Sequence, residues 1–197
     1  MKYASTLVRS AGNLVAGVCC ALGTGVAHAN CADLLERHVA TDMALDEKRF
    51  DQGEATGFRV LAGAGCYAEA EQLILAYIRA RGSRSTNVWW HAAQMAASAG
   101  RYGPAAQHAR NALESAPPKD DPLLWNDYVL ASIAFFERDR IALQRHRDVI
   151  ARQGMSFWGH RMNVNMLDTM LENFDLPYEE IGAKAFRRWQ AEGAATQ

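Results

Sequence analysis

Apolar residues recur at helical spacing along most of the chain. The first stripe of this kind falls on one face of an amphipathic helix: Cys31, Leu34, Leu35, His38, Val39 and Met43. A second stripe begins at Tyr67, ends near Gly82, and has these residues on one face: Ala70, Leu73, Ile74, Tyr77 and Ile78. The stretch 51–61 between them is a weaker helix prediction, because Gly53 and Gly57 lower its helix propensity.

Six further helices follow from the same periodicity. Segments 87–98 and 104–115 are rich in Ala and flank the turn Gly100-Arg101-Tyr102-Gly103, with Pro104 suited to a first helical turn. Pro122 is expected to open an apolar helix through Phe136 whose apolar residues surround the axis, which predicts burial between neighbours. A more polar helix over 140–153 comes next, and two more are predicted over 161–174 and 178–190. No alternating period-2 run of useful length appears, so the fold class is all-α with almost no strand.

The segment Thr86–Lys119 carries the pattern of a repeated helical pair. Its aromatic, small, turn and proline residues lie at these positions: Trp89, Ala92, Ala93, Gly100, Tyr102, Ala105, Ala112, Leu113 and Pro117. Small residues let two antiparallel helices approach closely, while Trp89 and Tyr102 fill the space at their ends. In this spacing the segment resembles a tetratricopeptide repeat.

The resemblance implies a short array. Degraded repeats are expected over 51–85, where Glu54 replaces the first-helix aromatic, and over 120–153, where the turn Glu137-Arg138-Asp139 has no Gly. Three stacked pairs are about the minimum for stability, so the first helix and the helices over 158–192 are expected to act as caps. We expect one domain over 30–197, built as antiparallel helical pairs in a right-handed solenoid.

The first 29 residues have the features of a secretory signal. Lys2 and Arg9 form a basic start, Leu14 to Val26 is apolar, and Ala27-His28-Ala29 is a small-x-small cleavage site. A spanning helix needs about 20 apolar residues, more than the uncharged run from Ala11 provides. We therefore predict cleavage after Ala29, no transmembrane segment in the mature protein, and a periplasmic or secreted location.

Removal of the leader leaves 168 residues with 19 basic and 22 acidic side chains, a net charge of −3. This charge offers no general attraction to nucleic acid, which we do not expect as a partner. Two cysteines remain, Cys31 and Cys66, and in an oxidising compartment they are expected to form a structural disulfide.

The resemblance implies binding of a protein or peptide partner in the cell envelope, because the repeat is a scaffold without chemistry of its own. In similar domains the inward-facing positions of the best repeat would be Asn87, Trp90 and Gln94, with His91 beside them. An aromatic ring supplies contact area and amides bond a peptide backbone. The alternative for Trp90 is packing against the preceding helical pair.

Arginines are concentrated around the helix over 140–153. Arg138, Arg145 and Arg152 are candidates for contact with an anionic partner, since guanidinium groups match carboxylates and phosphates. Interleaved acidic residues favour an ordinary solvated face instead.

Metal and catalytic sites are weaker interpretations. Met162, Met166 and Met170 beside His160 could suit Cu(I), but the spacing is also that of a packed helix face, and we expect no metal and no cofactor. The histidines lack an HExxH spacing, and Glu114-Ser115 resembles a lytic transglycosylase only superficially.

We therefore predict a non-catalytic adaptor, assembly factor or inhibitor-type partner. The alternatives are an envelope enzyme acting on peptidoglycan, or a structural oligomer if the Met and aromatic face of the last two helices is exposed.

Overall fold

Ten α-helices and no strand make up the regular structure of residues 30–118, 121–153 and 158–195, the residues that the computed structural model describes. The all-α prediction is confirmed, while the predicted leader over residues 1–29 lies outside this part of the chain. The helices are α1 (Cys31–Asp42), α2 (Glu47–Gln52), α3 (Phe58–Gly63), α4 (Tyr67–Arg81), α5 (Thr86–Ser98), α6 (Tyr102–Asn111), α7 (Trp125–Phe136), α8 (Arg140–Ala151), α9 (Trp158–Glu172) and α10 (Tyr178–Ala195).

Consecutive helices pack against each other along the chain. Helices α3 and α4, α5 and α6, α7 and α8, and α9 and α10 form adjacent pairs, and each pair contacts the next. Some contacts depart from this order, and one of them packs α10 against α5 in the middle of the chain. The last helix therefore lies next to an early pair as well as its own partner.

The turns inside successive pairs share a left-handed residue two positions before the second helix. Gly65 (φ 77°), Gly100 (φ 73°) and Arg138 (φ 64°) occupy this position. Glycine tolerates this conformation, whereas a side chain there is strained. The Arg138 guanidinium lies 4.3 Å from the ring centroid of Phe174 and donates to Asp175 Oδ1 at 2.7 Å. Those contacts hold the backbone where the sequence lacks the expected glycine.

The segment predicted as one weak helix over 51–61 is divided between α2 and α3. Gly57 separates the two helices with φ 69°, and a Cβ at that position would collide with the backbone carbonyl of Phe50. Its N–H donates to the buried carboxylate of Asp42 at 2.7 Å. Local propensity predicted only a weak continuous helix here. The break at Gly57 is fixed by a tertiary hydrogen bond to Asp42 of α1.

Helix α7 begins at Trp125, three residues after the predicted start at Pro122. The Asp121 carboxylate accepts from the backbone N–H groups of Leu123 at 2.9 Å and Trp125 at 2.6 Å, and Leu124 has φ 47°. This side chain satisfies amides that would otherwise lack partners at the helix start.

The prediction that α7 is buried between neighbours is confirmed, since most residues from Tyr128 to Phe136 are buried. They belong to a central core cluster that also contains Trp90, Leu143 and Leu167. A second cluster surrounds Phe50, Leu73 and Tyr77 near the N-terminal end of the described chain. Trp89 packs against both clusters and joins them. None of the helices within the described ranges is long and apolar enough to cross a membrane.

The disulfide between Cys31 and Cys66 is present. It links the first residue of α1 to the residue that precedes α4, and Cys66 is buried. The bond therefore fastens the predicted N-terminal cap to the first complete helical pair, as the cysteine count indicated.

Candidate functional site

A cavity of about 420 Å³ lies between α5, α9 and α10, with α7 behind it. Its lining is largely apolar and contains no charged side chain: Gln94, Met95, Ser98, Tyr128, Met162, Asn163, Asn165, Met166, Tyr178, Gly182, Ala185, Phe186 and Trp189. A concave apolar surface with a few polar groups is the usual form of a binding site. We take it as the candidate functional site.

Helix periodicity explains how α9 and α10 supply the lining. Met162 and Met166 are four residues apart on α9 and project to one side. On α10 the positions are Gly182, Ala185, Phe186 and Trp189, which follow the i, i+3, i+4, i+7 rule for one face. The cavity is thus a product of two amphipathic helices packed side by side.

Two buried tyrosines lie in the wall of the cavity. Burial raises the pKa of Tyr178 to about 12 and raises the pKa of Tyr128 as well, so both phenols are neutral at neutral pH. The side chain of Gln94 hydrogen-bonds to the Tyr178 hydroxyl, which joins α5 to α10. The backbone N–H of Tyr178 also donates to the Tyr102 hydroxyl at 3.1 Å. These bonds hold the start of α10 in place.

Asn165 is the polar residue buried most deeply in the lining, with 8% of its surface exposed. Its Nδ2 donates to the carbonyl of Ala185 at 2.8 Å and so ties α9 to α10. Its Oδ1 is buried and has no hydrogen-bond partner. An unsatisfied acceptor of this kind costs about 1 to 3 kcal/mol, so it marks a place where packing is not optimised for stability alone.

Large apolar side chains are exposed at the rim of the cavity. Phe186 is 60% exposed and Met162 is 41% exposed. Trp158, in the first turn of α9, is also 59% exposed, but it is not among the residues that line the cavity. Apolar residues grouped around a cavity are typical of an interaction surface, whereas isolated ones are ordinary. We call Met162, Phe186 and the cavity they border the α9–α10 face.

The four residues predicted to contact a partner occupy different environments. Gln94 lines the cavity, and Asn87 is exposed in the first turn of α5. His91 is half-buried, with Nδ1 bonded to Asp51 and its ring centroid 5.1 Å from that of Phe58. The structure therefore brings only Gln94 to the candidate site.

The expectation that Trp90 presents its ring on an open surface needs correction, because Trp90 is only 5% exposed. Its ring packs edge-on against Trp125 and Tyr128 of the following helical pair, with centroids 5.9 Å and 5.3 Å away. Trp89 is partly buried and contacts His108, at a centroid distance of 5.8 Å. Both tryptophans therefore act in packing, and Trp90 is the more completely enclosed of the two.

The arginines predicted to contact an anionic partner also lie in two different places. Arg138 bonds to Asp175 and to the carbonyl of Phe174, so it fastens the turn between α9 and α10. Arg145 and Arg152 are exposed and line a surface groove of about 520 Å³ together with Arg140, Ile141, Gln144 and Asp148. The groove is formed by α8 and by Arg152 directly after it, and Arg138 is not part of it.

Each of the three buried carboxylates among the described residues is paired with a histidine. Asp42 bonds to His38, Asp51 to His91, and Glu71 to His108. The last pair also includes the Arg101 guanidinium. Sequence analysis predicted none of these pairs. The members of two of them belong to different helices, so only the fold brings them together.

The methionines considered for Cu(I) divide between two places. Met162 and Met166 line the cavity, whereas Met170 is fully buried in the central core. His160 is buried, and its Nε2 has no hydrogen-bond partner. The stripe thus contains both packed and cavity-lining methionines.

Phe186, Gly182 and Trp189 were not selected from the sequence. The stripe Tyr178, Ile181 and Ala185 marks the buried face of α10, and these three residues lie beside it on the helix. A helical projection that compared the width of the apolar face of α10 with the widths of the apolar faces of the other helices would have found them.

The site is therefore defined by geometry: an uncharged cavity, an exposed apolar rim and one unsatisfied acceptor. Its walls combine the predicted C-terminal caps with the best repeat. No protein-family model, no curated protein and no solved structure matches this chain.

Proposed function

We propose that the mature chain is a protein- or peptide-binding helical-repeat module of the cell envelope, of the adaptor, assembly-factor or inhibitor type. Its contact surface is the α9–α10 face. The observation that carries the proposal is the exposed Phe186 at the rim of an apolar cavity of about 420 Å³. A partner that covers this ring and fills the cavity removes apolar surface from water.

The energetic argument rests on the hydrophobic effect. Burying a Phe or Met side chain contributes about 1.5 to 3 kcal/mol relative to leaving it exposed. Phe186 and Met162 are next to a cavity wide enough to accept further apolar side chains from a partner. A few such anchors supply most of the energy of a protein interface.

The tetratricopeptide-like pattern over 86–119 supports the same assignment. In similar domains the first helix of each pair supplies the binding surface. Here two first helices, α5 and α9, line the cavity. The left-handed turn residues Gly65, Gly100 and Arg138 support three successive pairs of one type.

The envelope location is supported by the predicted leader and by the disulfide, which persists in oxidising compartments. The alternative of a peptidoglycan-active enzyme requires an acid in a polar cleft. The cavity lining has no carboxylate, and each buried carboxylate of the described residues has a basic partner. These features favour binding over catalysis.

Site-specific photo-crosslinking in cells tests the proposal. A photoreactive phenylalanine analogue is placed at Phe186, and in a matched control at Ile141, which is 84% exposed on α8. We expect a protein adduct at position 186 that mass spectrometry identifies, and none at position 141. Equal labelling at both positions, or none at either, would contradict the assignment of the α9–α10 face.

A further inference from the structure

The amide group of Asn165 places an unpaired acceptor in the wall of the cavity. Its Nδ2 donates to the carbonyl of Ala185, and both residues belong to the cavity lining. Oδ1 is bonded to the same carbon atom as Nδ2, and it has no hydrogen-bond partner among the described residues. Asn165 is more than nine-tenths buried, so this acceptor is removed from bulk solvent. A donor that enters the cavity with a ligand would satisfy it.

The lining disfavours ionised ligands. None of the described lining residues carries a charge, so a carboxylate or an ammonium group would lose its hydration there without gaining an ion pair. The Arg161 guanidinium lies 5.7 Å from the ring centroid of Trp189, but Arg161 is exposed and is not part of the lining. The occupant that fits this cavity is therefore neutral.

The apolar part of the lining is rich in groups that pack well against an aromatic ring. It contains three methionines and four aromatic residues: Met95, Met162, Met166, Tyr128, Tyr178, Phe186 and Trp189. Thioether sulfurs make favourable contacts with aromatic rings, and rings favour edge-to-face or offset contacts with one another. The volume of about 420 Å³ lies in the range of roughly 300 to 1,000 Å³ that is usual for ligand sites.

An indole ring meets the requirements of charge, shape and hydrogen bonding together. Its N–H is a donor and the ring has no acceptor, so the single Oδ1 atom of Asn165 is sufficient for it. A phenol or an amide adds an oxygen acceptor that needs a further donor from the wall. An aliphatic side chain leaves Asn165 Oδ1 without a partner.

We propose that the cavity binds the tryptophan side chain of a protein partner, with the indole N–H donating to Oδ1 of Asn165. The rim favours a protein over a free aromatic molecule as the source, because the exposed Phe186 and Met162 extend the apolar surface beyond the cavity. The inference rests on the proposed function, since it names the chemical group that the same site recognises.

Two matched probes test the hydrogen bond. N-acetyltryptophanamide presents a neutral indole, and its benzothienylalanine analogue has a sulfur atom in place of the indole N–H. Methyl NMR of the purified, oxidised protein should show saturable shifts at Met162 and Met166 and none at Met43 of the N-terminal region, with a Kd below about 1 mM for the tryptophan probe. The sulfur analogue should bind about five- to tenfold more weakly, because it cannot donate. Equal affinities, or no saturable binding, would overturn the proposal.

Two asparagines of α9 provide matched variants. Asn163 and Asn165 both line the cavity, and of these two only Asn165 has a buried atom without a partner. Asn165→Leu should bind the two probes equally, whereas Asn163→Leu should keep the preference for indole. Circular dichroism checks that both variants fold. If loss of the bond to Ala185 unfolds Asn165→Leu, the comparison of the two probes on wild type still decides. A preference for indole that survives in folded Asn165→Leu would contradict the assigned acceptor.

Competition separates this inference from the proposed function. Excess N-acetyltryptophanamide, added before irradiation, should suppress the protein adduct at position 186. If the adduct forms and is not suppressed, the tryptophan inference fails and the binding function stands. If the probe binds the cavity but no protein crosslinks at position 186, the proposed function fails and with it the protein source of the indole, whereas the preference of the cavity for indole stands.

Discussion

The indole rings of Trp90 and Trp125 meet edge to face with their centroids 5.9 Å apart and so join α5 to α7. Tyr128 completes the group, 5.3 Å from Trp90. Aromatic contacts of this geometry add to the stability that burial alone provides. The three rings therefore fix how the second and third helical pairs stack.

Trp90→Ala is expected to lower the free energy of unfolding by about 3 to 5 kcal/mol, because it removes a buried ring and leaves a cavity. Urea denaturation of the mature protein measures this value. Asn87→Ala is the matched control, since Asn87 is exposed on the same helix and its loss should change stability by less than about 0.5 kcal/mol. Equal unfolding midpoints for wild type and Trp90→Ala would contradict the packing role.

Acidification should destabilise the protein through His108. Burial and the Arg101 guanidinium lower the pKa of His108 from 6.5 in the folded state. As pH falls below 6.5, the unfolded chain takes up this proton before the folded chain does, so stability decreases. Thermal melting between pH about 7.5 and about 5 should show a smaller loss for His108→Gln than for wild type. Parallel curves for the two proteins would contradict the prediction.

A second loss of stability is expected in stronger acid. The histidine partners of Asp42 and Asp51, with other hydrogen bonds, outweigh desolvation and lower the pKa of both carboxyl groups from 3.8. The unfolded chain therefore binds these protons first as pH falls below 3.8, and stability declines. Asp51→Asn should reduce this decline in urea titrations at acidic pH. An unchanged acid dependence in Asp51→Asn would refute the contribution of this carboxylate.

Reduction of the Cys31–Cys66 bond should lower stability by about 3 to 4 kcal/mol, as expected for closing a loop of this length. Urea unfolding with and without reductant measures the difference, and Cys31→Ala with Cys66→Ala serves as a control that reductant should not affect. Thiol titration of denatured, unreduced protein should find no free thiol over residues 30–197. Two reactive thiols in exported material would disprove the pairing in cells.

The exported protein should begin at Asn30, because Ala27-His28-Ala29 is the predicted cleavage site. N-terminal sequencing and intact mass decide this. Ala29→Asp should block processing and retain the leader, since the site requires a small residue. A wild-type chain that keeps its leader would disprove cleavage.

The helical pairs and the disulfide could be predicted because periodicity and cysteine number are local properties of the sequence. The break at Gly57 and the late start of α7 were missed, since contacts with Asp42 and Asp121 determine them. Trp90 was misplaced for a related reason. Repeat position predicted which way its side chain points, whereas the neighbouring rings of α7 determine how much of it stays exposed.

The candidate site could not be predicted from helical periodicity. Gln94 could be selected from its repeat position, but the cavity exists only because α10 packs against α5. That contact joins distant parts of the chain, and no local pattern encodes it. The apolar arc of α10 was visible, yet nothing in the sequence said which helix it would face.

The contact between α10 and α5 also sets the order in which the cavity can be assembled. A chain is synthesised from its N-terminus, so Gln94 on α5 emerges well before Phe186 and Trp189 on α10. Until residues 178–195 are present, the earlier helices have no wall opposite them. A prematurely terminated chain can thus contain three complete helical pairs and still lack the α9–α10 face, because that face requires residues 178–195.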